Sequence, residues 1–479
     1  MTHEVVVVGG GIGGLTVAAL LAARGIDVCL LERQSRAGGC VAAFEKFGYT
    51  FDPGVGLYPL WQAGEIHDQI FSELPVERPK VLSDDPAYVV RLPDQTDFSI
   101  TSHNEQFETS LLTSFPECAD RAIAFYQESA KVSADLLMTA RSINSQTDTV
   151  LDHLEGTSFR FRRFIEVQLR LLVQAALDEC DYRYGSFALN ILRKGNFSIR
   201  GGAPALADTL ADSIRASGGK VRLDTTALRL AYDSSGNAVG VDLLTGERLM
   251  ASRAIVSNLT VWDTFGKLVG LNRTPSELRK RLNNLRTLGV YLLYFGISET
   301  AASKLPNDRI LALTEWPPDM DHNPEEFQFM FAASPHHDTR APEVMRAVTM
   351  LTFSDVDEWF SFQETEEENE ERDQSRLELW WTRLHKALPE IGDGIEVIDT
   401  STPRTVYDLT RRKLGMVGGF GGSAGASNSD LINLQTHLPN LFRVGDTASL
   451  GAGLAPVSYS ALLLANHLTG RSWAHLRFS

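Results

Sequence analysis

Apolar residues open this chain in an unbroken run, Val5 to Val8, with no polar alternation. Such a run reads as a strand buried on both faces. Gly9-Gly10-Gly11-Ile12-Gly13-Gly14 follows, then an apolar helical stretch from Leu15 to Ala23 and a second buried strand from Ile26 to Leu31. The same rhythm returns later. Pro204 opens a helix from Ala205 to Ala216 whose Leu206, Leu210 and Ile214 share one face, and Gly218-Gly219 ends it. Strands are predicted at Lys220–Leu223, Ala227–Tyr232, Val239–Leu244, Glu247–Met250 and Arg253–Asn258, with Ser234-Ser235-Gly236-Asn237 as a hairpin turn. A third piece, near the end, has a strand at Leu441–Val444, a glycine-rich turn from Gly451 to Pro456 and a helix from Val457 to Leu468.

Two long segments, 72–195 and 262–398, separate these pieces. In the first, helical spacing is clearest from Phe107 to Tyr126 and from Phe161 to Leu177. The second holds an apolar strand from Leu288 to Ile297 and a helix near Leu377 to Leu388. Its acidic run, Glu364 to Asp373, reads as a solvated loop or helix start, because nothing rigid spaces the carboxylates for a metal. The expected fold is α/β. A Rossmann-like domain is assembled from three segments, 1–71, 196–261 and 399–479, and an α+β substrate domain is formed by the insertions 72–195 and 262–398. No internal repeat or low-complexity tract interrupts this scheme.

Length and charge narrow the function. At 479 residues the chain exceeds one ordinary core. A formal net charge of −16 argues against nucleic acid and against docking on anionic lipid through basic residues, so any peripheral membrane contact would be apolar. Met1-Thr2-His3-Glu4 leads straight into the first strand and no apolar run is long enough for a bilayer, so neither a signal peptide nor a spanning helix is expected. Cys29, Cys40, Cys118 and Cys180 are scattered, which fits a reduced, cytoplasmic setting and neither zinc nor a disulfide framework.

The chemistry concentrates where strands meet glycines. Gly9 permits a tight turn, Gly11 lets backbone approach a pyrophosphate, and Gly14 lets helix and strand pack closely. The helix N-terminus offers free N–H groups to phosphates. Glu32, ending the second strand, is placed to accept hydrogen bonds from a ribose diol. Arg36 and Gly38-Gly39 could meet something flat or charged, although a plain turn with a solvated arginine explains them as well. Asp52 reads either as a site carboxylate or as a turn cap. Gly445-Asp446 puts a carboxylate at a strand end facing a glycine turn and a helix, where it could bond a ribityl hydroxyl. The positive end of that helix would stabilise the anionic N1–C2=O edge of a reduced flavin. No side chain stands out as a catalytic base, and His336-His337 reads as surface.

At four segments the chain resembles the two-dinucleotide-binding flavoproteins of the amine-oxidase superfamily, and within them the phytoene desaturase, carotenoid isomerase and retinol saturase branch. They are VVVVGGGIGGLTVAALLAARG, LERQSRAGGCVAAFEKFGYTFDPG, IRGGAPALADTLADSIRASGG and NLFRVGDTASLGAGLAPVSYSALLLANHL. Thr402-Pro403-Arg404-Thr405 resembles a further element of that branch. The resemblance implies non-covalent FAD, with Gly9, Gly11, Ile12, Gly13 and Gly14 at the pyrophosphate and Glu32 at the adenosine ribose. It implies that Arg33, Gly38, Gly39 and Cys40 line the cofactor, Ala227 the adenine, and Gly445-Asp446 the ribityl–pyrophosphate region. Gly453, Leu454, Ala455 and Val457 would approach the isoalloxazine. Gly451-Ala452 and Ser460-Ala461 depart from the branch's usual Pro-Gly and Ser-Gly, and the middle segments match nothing recognisable. The expected activity is oxidation or reduction of carbon–carbon bonds in an apolar polyene or isoprenoid-like substrate. Desaturation comes first, with flavin-assisted cis–trans isomerisation or saturation as alternatives. A flavin amine oxidase would need an aromatic cage before the last helix, and Gly445 to Pro456 holds no aromatic residue. A prenyl-protein chaperone of the GDP-dissociation-inhibitor type would share the fold without flavin.

Overall fold

Strand Thr2–Val8 (β1) lies between two parallel neighbours, Val28–Leu31 (β2) on one side and Arg248–Ser257 on the other. Lys220–Arg222 extends the parallel sheet beyond β2, and Leu441–Arg443 extends it beyond Arg248–Ser257. The computed structural model describes residues 1–132, 148–285, 287–317, 326–336, 338–360, 365–419, 433–449 and 453–471. Each of the three sequence pieces therefore supplies strands to one sheet.

Glu247–Met250 and Arg253–Asn258, expected as separate strands, form one strand, Arg248–Ser257. Its first residues pair antiparallel with Gly240–Asp242, in a meander with Ala227–Tyr232, and its last three pair parallel with Leu441–Arg443. The polar Ser252-Arg253 step mimics a turn. A register irregularity against β1, between His3 and Val5, accommodates it without breaking the strand.

Helix Ile12–Ala23 (α1) follows the glycine turn, and every residue from Ile12 to Ala22 is buried. It is apolar all round because it is enclosed by the sheet and by helices Gly202–Ala216 and Leu454–Thr469. Two glycines in its first turn lower its intrinsic propensity, so burial rather than propensity holds it.

A second sheet orders Ile395–Ser401, Gly289–Ser298, Met345–Ser354, Gln328–Ala333, Arg309–Leu313, Tyr88–Arg91 and Asp97–Ile100. All neighbours are antiparallel except Arg309–Leu313 with Tyr88–Arg91. The apolar strand expected from Leu288 is Gly289–Ser298, and its two faces serve two cores. Tyr291, Leu293, Phe295 and Ile297 pack with Trp359, Trp380 and Leu384, while Val290, Leu292 and Tyr294 pack with Tyr49 and Phe51. Through that second face the aromatic hairpin Phe44–Lys46/Tyr49–Phe51 leans on the second sheet, with the Phe44 ring 4.7 Å from Tyr294.

The helical insertion differs from expectation in detail. Phe107 to Tyr126 is two helices, Asn104–Ser114 and Ala119–Ser129, because Pro116 cannot continue the first. They fold back so that Phe107 and Tyr126 meet edge to face at 4.8 Å. The helix expected from Phe161 to Leu177 is Phe159–Val173, capped by Ser158 and stopped by Gln174 in a left-handed conformation. The acidic run proves to be a helix start. Thr365 and Glu368 form a reciprocal capping box ahead of helix Glu366–Ala387, and three glutamates in its first turn suit the positive end of the dipole. Glu364 and the turn residues Gly451-Ala452 lie outside the described residues.

All four cysteines are free, Cys40 alone being exposed. Among the described residues no helix is long and apolar enough to cross a membrane, and no group of His, Cys, Asp and Glu could hold a metal.

Candidate dinucleotide site

β1 ends by donating Gly9 N–H to Leu31 O at 2.8 Å, and Gly9 then turns at φ +99°. The chain comes back as α1 so tightly that a Cβ on Gly14 would stand 2.1 Å from Gly9 O. Gly38 N–H reaches Gly10 O at 2.8 Å, and a Cβ on Gly39 would lie 3.1 Å from Gly11 Cα. On the other side, a Cβ on Gly13 would be 3.0 Å from Gly445 N. The structure thus brings Gly9–Gly14, Gly38-Gly39 and Gly445 together, although they stand far apart in sequence.

Asn258 joins them and was not expected. It follows strand Arg248–Ser257, and its amide would lie 2.7–2.8 Å from Cβ atoms built on Gly11, Gly13 or Gly445. Its signal was available: a polar residue directly after a buried parallel strand stands where open α/β sheets bind ligands. Arg412 was also missed. It donates from Nη2 to Asp446 Oδ2 at 2.6 Å and from Nε to Met416 O at 2.6 Å, and comes from a stretch with no periodicity to mark it.

Glu32 is buried, accepting from Gly10 N at 2.7 Å and Gln34 N at 2.8 Å. A carboxylate offers about four lone-pair directions, so capacity remains for a diol. Thr225 N donates to Glu32 O at 2.8 Å, which brings the start of strand Ala227–Tyr232, and so Ala227, close to Glu32. Arg33 sends its guanidinium to the Leu409 carbonyl. Arg36 is exposed and 3.8 Å from Glu45. Surrounding protein raises the Cys40 thiol pKa, against the opposing pull of Arg412.

The last helix begins at Leu454, three residues before the expected Val457, with Gly453 as its cap. Leu454 and Ala455 are buried in the apolar core, Ile12 is buried in the same core, Val457 is half-buried, and Gly453 is exposed with open space around it. Pro456 falls in the first turn, where its missing N–H costs nothing. Asp52 works as a cap, accepting from Gly54 N, from the Tyr58 hydroxyl and from Ala203 N at the start of helix Gly202–Ala216, each at 2.8 Å. His336 is exposed and pairs with Glu299, while His337 lies outside the described residues.

Three helix ends share one electrostatic character, and a side chain fills one of them. The helices starting at Phe159, Tyr182, Glu366 and Pro403 are capped by Ser158, Asp181, Thr365 and Thr402. α1, Gly202–Ala216 and Leu454–Thr469 have glycine caps, no capping side chain of their own and no acidic residue in the first turn, and of these Gly202–Ala216 receives Asp52 at Ala203 N. Unsatisfied N–H groups and partial positive charge at such ends are what a diphosphate or an anionic ring edge requires. Close glycine backbone, open helix ends and a strand-end carboxylate together fit a flavin dinucleotide.

Fold and site define a dinucleotide-binding flavoprotein. The flavin-containing amine oxidoreductase family model matches residues 12–409, and the chain belongs to that family. It is an FAD-dependent oxidoreductase. Among curated relatives, the chloroplastic prolycopene isomerase of Arabidopsis thaliana is 24% identical, over 97% of this chain and 82% of its own. The all-trans-retinol 13,14-reductase of Danio rerio is 24% identical, over 98% and 86%. Among solved structures, an oxidoreductase from Methanosarcina mazei shares the fold with a TM-score of 0.68 at 17% identity, covering 97% of this chain and 99% of its own.

Proposed function

We propose that this enzyme exchanges a hydride between FAD and a carbon–carbon bond of an apolar polyene or isoprenoid-like substrate. The observation that carries this reading is the match to prolycopene isomerase and all-trans-retinol 13,14-reductase along nearly the whole chain, both named for conjugated polyenes. When bound, FAD supplies the hydride acceptor or donor, and the protein's task is to place it and exclude water. In this reading the N–H groups at the start of α1 receive the diphosphate, Glu32 the ribose and Asp446 the ribityl chain. The open end of helix Leu454–Thr469 would favour the ring edge that becomes anionic on reduction. Segments 1–71, 196–261 and 399–479 hold the cofactor, and 72–195 and 262–398 hold the substrate. Desaturation removes a hydride and a proton from the substrate, saturation adds both, and cis–trans isomerisation has no net hydride flow, so the three can share this machinery.

A cytoplasmic enzyme that touches a membrane peripherally completes the reading. Exposed Phe47 and Val344 supply an apolar surface for it, on two tips that meet where a Cβ on Gly48 would lie 3.6 Å from Pro342.

The test is anaerobic mixing of oxidised and of dithionite-reduced enzyme with polyenes in liposomes, following flavin absorbance and product geometry. Small polar amines in buffer serve as the competing substrates. Flavin bleaching with bond formation marks desaturation, reoxidation of reduced flavin marks saturation, and changed geometry with unchanged flavin marks isomerisation. Rapid bleaching by amines with no response to any polyene would reject the reading in favour of amine oxidation.

A further inference from the structure

Asp446 sets an electrostatic problem that its own segment does not solve. It directly follows Gly445, which abuts Gly13 in the first turn of α1. A carboxylate there stands near the place where a diphosphate must bind, and like charges in a partly buried cleft repel strongly. The arginines near the glycine motif are committed elsewhere or act on Asp446 only in part. Arg33 is engaged with the Leu409 carbonyl, and Arg36 is 67% exposed beside Glu45. Arg443 is buried and attracted by the Asp446 charge, but its Nη2 is spent on Thr447 O at 2.6 Å.

The compensating charge comes from Arg412, on the loop after helix Pro403–Thr410. Its Nη2 is 2.6 Å from Asp446 Oδ2, with side chains 13% and 23% exposed, and it lies against the Cys40 side chain. Its Nε is anchored on Met416 O at 2.6 Å, so the loop fixes where the charge stands. Among the described residues nothing donates to Asp446 Oδ1, which leaves one carboxylate oxygen for a hydroxyl donor. The pair as built is neutral, yet it keeps an acceptor.

We propose that Arg412 is a cofactor-positioning residue, which neutralises Asp446 beside Cys40 so that this carboxylate can receive the ribityl chain of FAD without repelling its diphosphate. The inference rests on the placement of FAD given above. Removing one member of a partly buried charge pair leaves the other uncompensated, and that is where the effect should appear.

Apoprotein titrated with FAD, read by quenching of flavin fluorescence, tests this with no need of substrate. R412Q should bind FAD at least about tenfold more weakly, the loss expected when a charge beside the ligand goes unpaired. R412K keeps the charge and should stay within about threefold of the parent protein. R412Q/D446N should bind no more weakly than D446N alone, since the repelling charge is gone. Added salt should improve binding to R412Q and not to the parent, because screening weakens only the uncompensated repulsion. Melting of each apoprotein controls for folding, and if R412Q does not fold, R412K and the double variant decide the matter. Parent-like binding by R412Q overturns the proposal. So does R412K as weak as R412Q, which would leave only the bond to Met416. So does a double variant still about tenfold weaker than D446N, which would mean Arg412 acts without Asp446. Glu32→Ala in the same titration keeps the premises apart. If it binds weakly while R412Q binds normally, only the role of Arg412 fails; if neither loses affinity, the placement of FAD fails.

Discussion

Glu32 serves the protein and, in the proposed reading, the cofactor with one carboxylate. Its bonds to Gly10 N and Gln34 N hold the glycine turn, and its remaining lone-pair capacity is what the ribose would use. Charge-assisted hydrogen bonds of this kind contribute about 1.5–3 kcal/mol each. Glu32→Ala should therefore weaken FAD binding at least about tenfold and also lower apoprotein stability. Unchanged affinity in a fluorescence titration would show that Glu32 does not meet the ribose. His67 makes a separate prediction about pH. It stacks on Trp61 at 4.3 Å with its Nδ1 on Leu60 O, and burial lowers its pKa to about 4. Between about pH 4 and 6.5 the unfolded chain binds a proton that the folded chain refuses, so stability falls as pH drops through that window. The loss should approach about 3 kcal/mol near pH 4. Urea unfolding of His67→Gln should show a slope against pH shallower by one proton, and an unaltered slope would refute the assignment.

Elements that carry their own local signals were readable in the sequence, and those set by distant partners were not. The run Val5–Val8, the glycine turn and the spacing of Leu206, Leu210 and Ile214 all found their elements, because each expresses one periodicity and one terminus signal. Arg248–Ser257 was misread as two strands, since its middle is polar and only the partners on either side keep it extended. The helix Glu366–Ala387 was expected near Leu377 to Leu388 with its acidic stretch left between a loop and a helix start, its first turns being solvated and held by a cap rather than by apolar spacing. Thr365→Ala should cost about 1 kcal/mol, measurable as a lower urea midpoint at an unchanged slope. Of the site, the glycines and carboxylates were legible as types at fixed offsets. Arg412 was not, for its role arises only when the chain closes on Asp446. Gly14 shows how tightly element contact is set. Gly14→Ala should destabilise the apoprotein by about 3 kcal/mol or more, because the Cβ meets backbone and neither α1 nor β1 can yield alone. Thermal melting near the parent value would mean the helix can ride up without penalty.

For the whole molecule, one layer of parallel strands carries the cofactor motifs and a second, largely apolar sheet stands against its aromatic hairpin. Turnover of a polyene should then depend on lipid delivery and only weakly on ionic strength, since buried apolar area, at about 25 cal/mol per Å², supplies the affinity. A steep fall in rate with salt would point instead to a charged substrate. Acid precipitation should release the FAD into the supernatant, and a pellet that stays yellow would mean a covalent link. The parallel sheet also sets a schedule for biosynthesis. β1, β2 and the glycine turn leave the ribosome first, but Leu441–Arg443, which pairs with Arg248–Ser257, arrives more than four hundred residues later. At about 5–20 residues per second that is roughly 20–80 s during which Gly13 lacks Gly445 beside it, and for the later part of it the edge of Arg248–Ser257 is open. On the proposed placement of FAD, the cofactor cannot template the early stages of folding, and a chain ended before Leu441 should bind none despite an intact N-terminal motif. Through that interval the unpaired strand edge is the surface a ribosome-associated chaperone would have to shield.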